Sequence, residues 1–180
     1  ASLRQRYAQA GSIYTKNGEK LAYSKDGARL YAEDPLLEKS VMQIVGDYTH
    51  HITNTIETQY QGEILGNTRG VTEQLILDVS GRGLQGSDVH LTIDSNLNSF
   101  LYEQIAKYEA ASAVLMNYQT GAILAISSSP STNLENVIAY QDIPDTALFN
   151  RALQSNYSPA STFKILTAAA WINSPQFDGN

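Results

Sequence analysis

Cysteine is absent from this sequence of 180 residues. Its absence removes disulfide frameworks, thiolate nucleophiles and cysteine-based zinc sites together, and leaves the compartment open. Basic charge is scarce: 12 Lys and Arg stand against 18 Asp and Glu, a net charge of -6. The chain therefore has no basic footprint for nucleic acid and no cluster to grip an anionic membrane surface. No apolar run reaches the length that crosses a bilayer. Residues 1–10, polar and carrying Arg4 and Arg6, do not read as a signal peptide. Internal repeats and low-complexity tracts are missing as well. What is present, 42% hydrophobic and 17% charged residues, is a globular composition, long enough for one ordinary domain or two small ones.

The first half is rich in short strand-like pieces. Ser12-Ile13-Tyr14 and Lys20-Leu21-Ala22-Tyr23 flank Asn17-Gly18, the dipeptide that closes tight hairpins. Leu37, Val41 and Ile44 have helical spacing before Gly46, and Ile56, Tyr60 and Ile64 repeat it before Gly66. An apolar strand at 74–77 leads into a glycine loop at 79–87, which we take as lying close to a domain boundary. Residues 89–93 alternate like a strand, and Asp94 is placed to cap a helix with an apolar stripe at Leu97, Phe100, Leu101, Ile105 and Tyr108. Residues 113–116 and 122–126 form a second hairpin, apolar on both faces and so expected in the middle of a covered sheet. Residues 127–149 read as an acidic surface loop. Residues 161–172, with Ala168-Ala169-Ala170, read as a small-residue helix fit for tight packing all round, with Phe163 in the core. The fold class expected is α+β.

Ser161-Thr162-Phe163-Lys164 carries the chemistry. Positions three apart share a helix face, so the Lys164 amine can reach the Ser161 hydroxyl. A serine hydroxyl becomes a good nucleophile when a neighbouring base takes its proton. Lysine is a base only when its amine is neutral, which a buried place near a helix N-terminus favours. The same N-terminus aims the Ser161 N–H at the position where an oxyanion forms. A helix cap followed by a solvated lysine is the plain alternative, and on residue chemistry alone both readings stand. Other candidates carry less. His50-His51 has no third ligand at a sensible spacing and reads as a surface loop, His90 as a structural strand residue, and Asp88 as a turn residue.

The run Asn150-Arg151-Ala152-Leu153, followed by Tyr157-Ser158-Pro159-Ala160-Ser161-Thr162-Phe163-Lys164, resembles the acylation motif of penicillin-binding proteins. Leu91-Thr92-Ile93-Asp94, and Thr120-Gly121-Ala122-Ile123-Leu124-Ala125 before Ser129-Pro130-Ser131, resemble the opening of their transpeptidase domain. Ser12-Ile13-Tyr14 through Leu21-Ala22, and then Glu57, Tyr60, Leu65 and Gly66, resemble the non-catalytic pedestal domain of class B members. Some positions depart from that pattern. Ala160 stands where the family usually has glycine, a change shared with class D β-lactamases and β-lactam sensor domains. Ala10, Thr15 and Asn117 replace an arginine and two aspartates, and residues 132–136 lack the usual Tyr-Asp-Pro-Asn.

The resemblance implies a strand-rich pedestal over residues 1–88 and, over 89–180, the first part of a transpeptidase domain of the penicillin-binding and serine β-lactamase kind. It implies Ser161 as nucleophile and Lys164 as base in a peptidoglycan D,D-transpeptidase, with no metal and no cofactor. Its ligands are peptidoglycan stem peptides and β-lactams. Its expected partners are a membrane glycan polymerase and division or elongation proteins, and its place is the cell membrane, held by a single span outside these residues. The family's Ser-x-Asn and Lys-Thr-Gly motifs do not occur after Lys164. The expectation is therefore a chain truncated after the serine helix, inactive by itself and completed by the remainder of the same protein. Rival readings are a class D-like β-lactamase or β-lactam sensor, and a non-catalytic scaffold for cell-wall synthesis partners.

Overall fold

The structure is a computed structural model that describes residues 3–67, 86–140 and 143–178. The strand expected at 74–77 and most of the loop expected at 79–87 lie outside the described residues. Helices and strands mix in the α+β manner expected.

A short helix α1 (Leu3–Arg6) precedes the strands β1 (Ile13–Tyr14), β2 (Lys20–Lys25) and β3 (Ala28–Tyr31). The hairpin closes where expected, with Gly18 at φ 90° and its N–H donating to Thr15 O. The helix α2 (Pro35–Val45) starts at Asp34, whose carboxylate accepts Leu36 N at 2.8 Å, with Pro35 at the first helical position. It stops at Gly46, where φ is 79° and an added Cβ would meet Thr55 Oγ1 at 2.0 Å. The helix expected over 55–65 is broken into α3 (Ile56–Gln59) and α4 (Gln61–Ile64), separated at Tyr60. The expected strand at 89–93 is reduced to β4 (Val89–His90), which pairs in parallel with β1 and completes a sheet of order β3-β2-β1-β4. Asp88 does more than turn the chain, since its Oδ1 accepts Ser12 N at 2.7 Å and fastens this return. His90 stacks on Tyr14, ring centroids 5.0 Å apart. Tyr7, Ile13, Leu21, Leu37, Val41, Val45 and Ile64 fill the core beneath the sheet.

One buried ion pair crosses that core. Arg29 donates Nε to Glu57 Oε1 at 2.8 Å and Nη1 to Gly11 O at 2.7 Å, with both charged side chains fully enclosed. Burial outweighs the attraction of Arg29 and pushes the Glu57 carboxyl above its ordinary range. The same environment, with the Glu57 charge adding to it, pushes the Tyr7 hydroxyl up to about 12.

The second half is built on α5 (Ser95–Ile105), β5 (Ala111–Met116) and β6 (Ile123–Ser129), the two strands forming an antiparallel pair. Asp94 caps α5 as expected, accepting Asn96 N and Leu97 N at 3.1 Å each. The Leu97 N–H holds the Asp94 carboxyl below its ordinary range, and Asn17 Nδ2 at 3.3 Å ties the cap to the first hairpin. The apolar stripe, however, faces the core only in part, at Ile105. Leu97, Phe100 and Tyr108 are exposed, while Ser95, Asn98, Tyr102 and Ile105 point inward against β6 and α2. Asn98 is the reason. Fully buried, it donates to Ser40 O, Ser40 Oγ and Ser127 Oγ and accepts Ile126 N at 2.8 Å, and these bonds set the rotation of the helix.

The hairpin of β5 and β6 is not covered on both sides. β6 is buried over its second half, whereas Val114, Leu115 and Met116 of β5 are exposed. Nor is 127–149 a surface loop. Ser127, Ser128 and Ser129 are buried in β6, and α6 (Leu134–Ile138) and α7 (Asp145–Leu148) bury Leu134, Val137 and Ala147. The serine hydroxyls make that burial tolerable, with Ser127 Oγ donating to Ser40 O and Ser128 Oγ to Phe149 O.

Candidate active site

Ser161 and Lys164 sit at the junction of a 3-10 turn (Ala160–Phe163) and an α-helix (Lys164–Ile172) that follows α8 (Arg151–Gln154) and is here α9. The first bond of the turn runs from Thr162 N to Pro159 O at 3.1 Å. Ser161 N, one residue earlier, therefore has no intrahelical acceptor and is available to an oxyanion. In a 3-10 turn side chains at i and i+3 eclipse, so the structure brings Ser161 and Lys164 onto one face. Among the described residues Lys164 makes no ion pair, and no hydrogen bond joins its amine to Ser161.

Two expectations about this helix need correction. Every residue from Ser161 to Ile172 is exposed, Lys164 and the helix's apolar residues included, rather than being packed all round. Phe163 is 51% exposed and belongs to no core. Small-residue composition encodes a capacity for tight packing, and the described residues offer this helix no surface to pack on.

Ala160 gives the clearest local signal. Its φ is 45°, a left-handed conformation that crowds a Cβ. That is a physical reason for glycine at such a position, and alanine here carries strain. Ala160→Gly relieves about 1–2 kcal/mol of it and adds about 0.5–1 kcal/mol of chain entropy to be lost on folding. A net stabilisation of up to about 1 kcal/mol is expected. Urea unfolding reads it directly, and a lowered midpoint would show that the alanine is unstrained.

The segment before the turn is held by groups that sequence reasoning did not single out. Asn150 is buried; its Oδ1 caps α8 by accepting Ala152 N and Leu153 N, and its Nδ2 donates to Gln43 O at 3.3 Å. The signal available was Ser40 and Gln43, polar residues on the buried side of an apolar helix. His50 accepts or donates a hydrogen bond with Tyr7 Oη at 3.0 Å, and His51 lies 3.5 Å from Asp47. No group of three or more His, Asp or Glu among the described residues could hold a metal ion.

Comparison with known proteins places this geometry. Residues 111–180, from β5 through the Ser161 turn, match the family model described as penicillin binding protein transpeptidase domain. Over that segment the chain is similar to the penicillin-binding proteins. The peptidoglycan D,D-transpeptidase PbpA of Mycolicibacterium smegmatis is 26% identical over 93% of this chain and 38% of its own length. The peptidoglycan D,D-transpeptidase MrdA of Escherichia coli is 33% identical over 63% of this chain and 19% of its own length. Among solved structures, penicillin-binding protein A from M. tuberculosis, as an imipenem acyl-enzyme complex, matches with a TM-score of 0.76 at 26% identity, covering 96% of this chain and 44% of that one. The transpeptidase domain of a peptidoglycan glycosyltransferase from Eggerthella lenta matches with a TM-score of 0.69 at 29% identity, over 92% and 37%. The likeness to PbpA and to the M. tuberculosis structure thus runs through the first half of the chain as well. The chain spans less than half the length of each of these relatives.

Proposed function

We propose that this chain is part of a peptidoglycan D,D-transpeptidase in which Ser161 is the nucleophile and Lys164 its general base. The observation that carries the reading is Ser161 in a 3-10 turn with Lys164 three residues on, at the first residue of the following helix, inside the segment matched by the transpeptidase model. Lys164 Nζ takes the Ser161 Oγ proton as Oγ attacks the penultimate D-Ala carbonyl of a stem peptide. The Ser161 N–H donates to the oxyanion that forms. Collapse of the tetrahedral species breaks the peptide C–N bond, the proton passes to the departing nitrogen, and D-Ala leaves an acyl-serine. An amine of a neighbouring stem then attacks the ester, and Oγ regains its proton. A β-lactam acylates the same oxygen, its ring C–N bond opening, and stays attached.

Residues 1–88 serve as the pedestal in this reading, and 89–180 as the first part of the catalytic domain. The reading also requires a second oxyanion donor and a surface that covers α9, neither of which the described residues supply. Cell-wall work beside a membrane glycan polymerase and division or elongation proteins follows, with attachment to the membrane from outside these residues. No helix among the described residues is long and apolar enough to cross a membrane.

Intact-mass and peptide-mapping mass spectrometry of the full-length protein with benzylpenicillin tests the assignment. One stable penicilloyl adduct on Ser161 is expected. A folded protein with no adduct, or a Ser161→Ala variant that still takes the label, would sink it, and rapid release of penicilloate would favour the class D-like reading suggested by Ala160.

A further inference from the structure

We propose that Gln43, far from Ser161 in sequence and on the pedestal helix α2, is a positioning residue for acylation. The inference rests on the reading of Ser161 as nucleophile. Gln43 is 3% exposed, and its Nε2 donates to Pro130 O at 2.9 Å and to Ala147 O at 2.7 Å. Its backbone carbonyl accepts Asn150 Nδ2 at 3.3 Å. One residue of α2 therefore grips the chain after β6, the end of α7 and the residue that caps α8. Asn150 repeats the pattern from the other side, since its backbone N–H donates to Gln154 Oε1 at 2.7 Å while its side chain caps the same helix. Arg151 N donates to Ser128 Oγ at 3.1 Å, which pins the start of α8 onto β6.

Only residues 155–159 separate this fixed point from the 3-10 turn that carries Ser161. A short extended run transmits the position of its anchored end, at roughly 3.3–3.6 Å per residue. Both donors of the Gln43 amide are used, one on Pro130 O and one on Ala147 O. An apolar replacement leaves those carbonyls buried and unpaired, and they move to find water. Attack by a serine oxygen is sensitive to such movement, and a displacement of about 1 Å costs on the order of a hundredfold in rate.

The test measures penicillin acylation of the full-length protein with benzylpenicillin in excess, reading the rate constant, the end-point stoichiometry and the thermal midpoint. Gln43→Met keeps the volume and removes both donors. Asn150→Asp keeps the cap of α8 and turns the donor to Gln43 O into a carboxylate oxygen that repels it, and it answers the question if Gln43→Met fails to fold. Both are expected to slow acylation roughly tenfold or more while one label per chain is still reached. Gln59→Ala, in the same surface cavity of about 260 Å³ but outside the grip, is expected to react at the wild-type rate. Wild-type rate constants in Gln43→Met or Asn150→Asp would overturn the proposal, and so would a lower stoichiometry at an unchanged rate constant, the mark of a merely structural residue. If the wild-type protein takes no label on Ser161, the nucleophile assignment itself has failed and this inference falls with it.

Discussion

Lys164→Ala in the full-length protein is expected to slow acylation of Ser161 by a β-lactam about 10²–10⁴-fold, the usual contribution of a positioned general base. The nucleophile remains, but its proton has no acceptor as the oxygen attacks. Lys164→Arg is the sharper variant. It keeps the length and the charge of the side chain, yet a guanidinium does not release its proton and so cannot accept one from serine. If the lysine only balanced charge at the helix start, arginine would serve nearly as well. Stopped-flow acylation with a chromogenic cephalosporin separates the two outcomes, and near wild-type rates in Lys164→Arg would remove the base assignment while leaving Ser161 untouched.

Glu57→Ala is expected to destabilise the protein by about 3–5 kcal/mol, because it strands the Arg29 guanidinium in the core without a counter-charge. The side chains of both residues are fully enclosed, and Arg29 also lies 5.7 Å from the Tyr7 ring centroid. Urea unfolding measures the loss. The double variant Arg29→Met/Glu57→Leu tells what kind of loss it is. Desolvation already dominates at Glu57, so removing both charges is expected to recover most of the stability. A single variant within about 1 kcal/mol of wild type would mean that water reaches Arg29 once Glu57 is gone.

Local signals were legible where one residue type has one physical use. Asp94 caps its helix, Gly46 ends another, and Asn17-Gly18 turns the hairpin. The helix that carries Lys164 was likewise legible, because its residues are adjacent in the chain. The buried polar network was not. Asn98 bonds Ser40 across 58 residues, and Gln43 bonds Ala147 across 104, so no window of sequence contains both partners. Ser127-Ser128-Ser129 read as loop because serine is polar, although each hydroxyl that finds a carbonyl can be buried. The stripe of α5 misled for the opposite reason. Apolar residues mark a face that tends to be covered, but Leu97 and Phe100 stay exposed here while Asn98 holds the inner side.

The parallel pairing of Val89–His90 with Ile13–Tyr14 bears on the order in which the molecule is made. A ribosome delivers β1, β2 and β3 early, and those three pair through local turns. The place beside β1 stays empty until residues 89–90 emerge, with the Ser12 and Tyr14 carbonyls that receive Val89 and Leu91 N–H groups still unpaired. During that interval the first sheet has an open edge, the kind of surface that recruits other strands. Completion of the first sheet is therefore timed by the arrival of a segment some 75 residues further along the chain than the strand it joins.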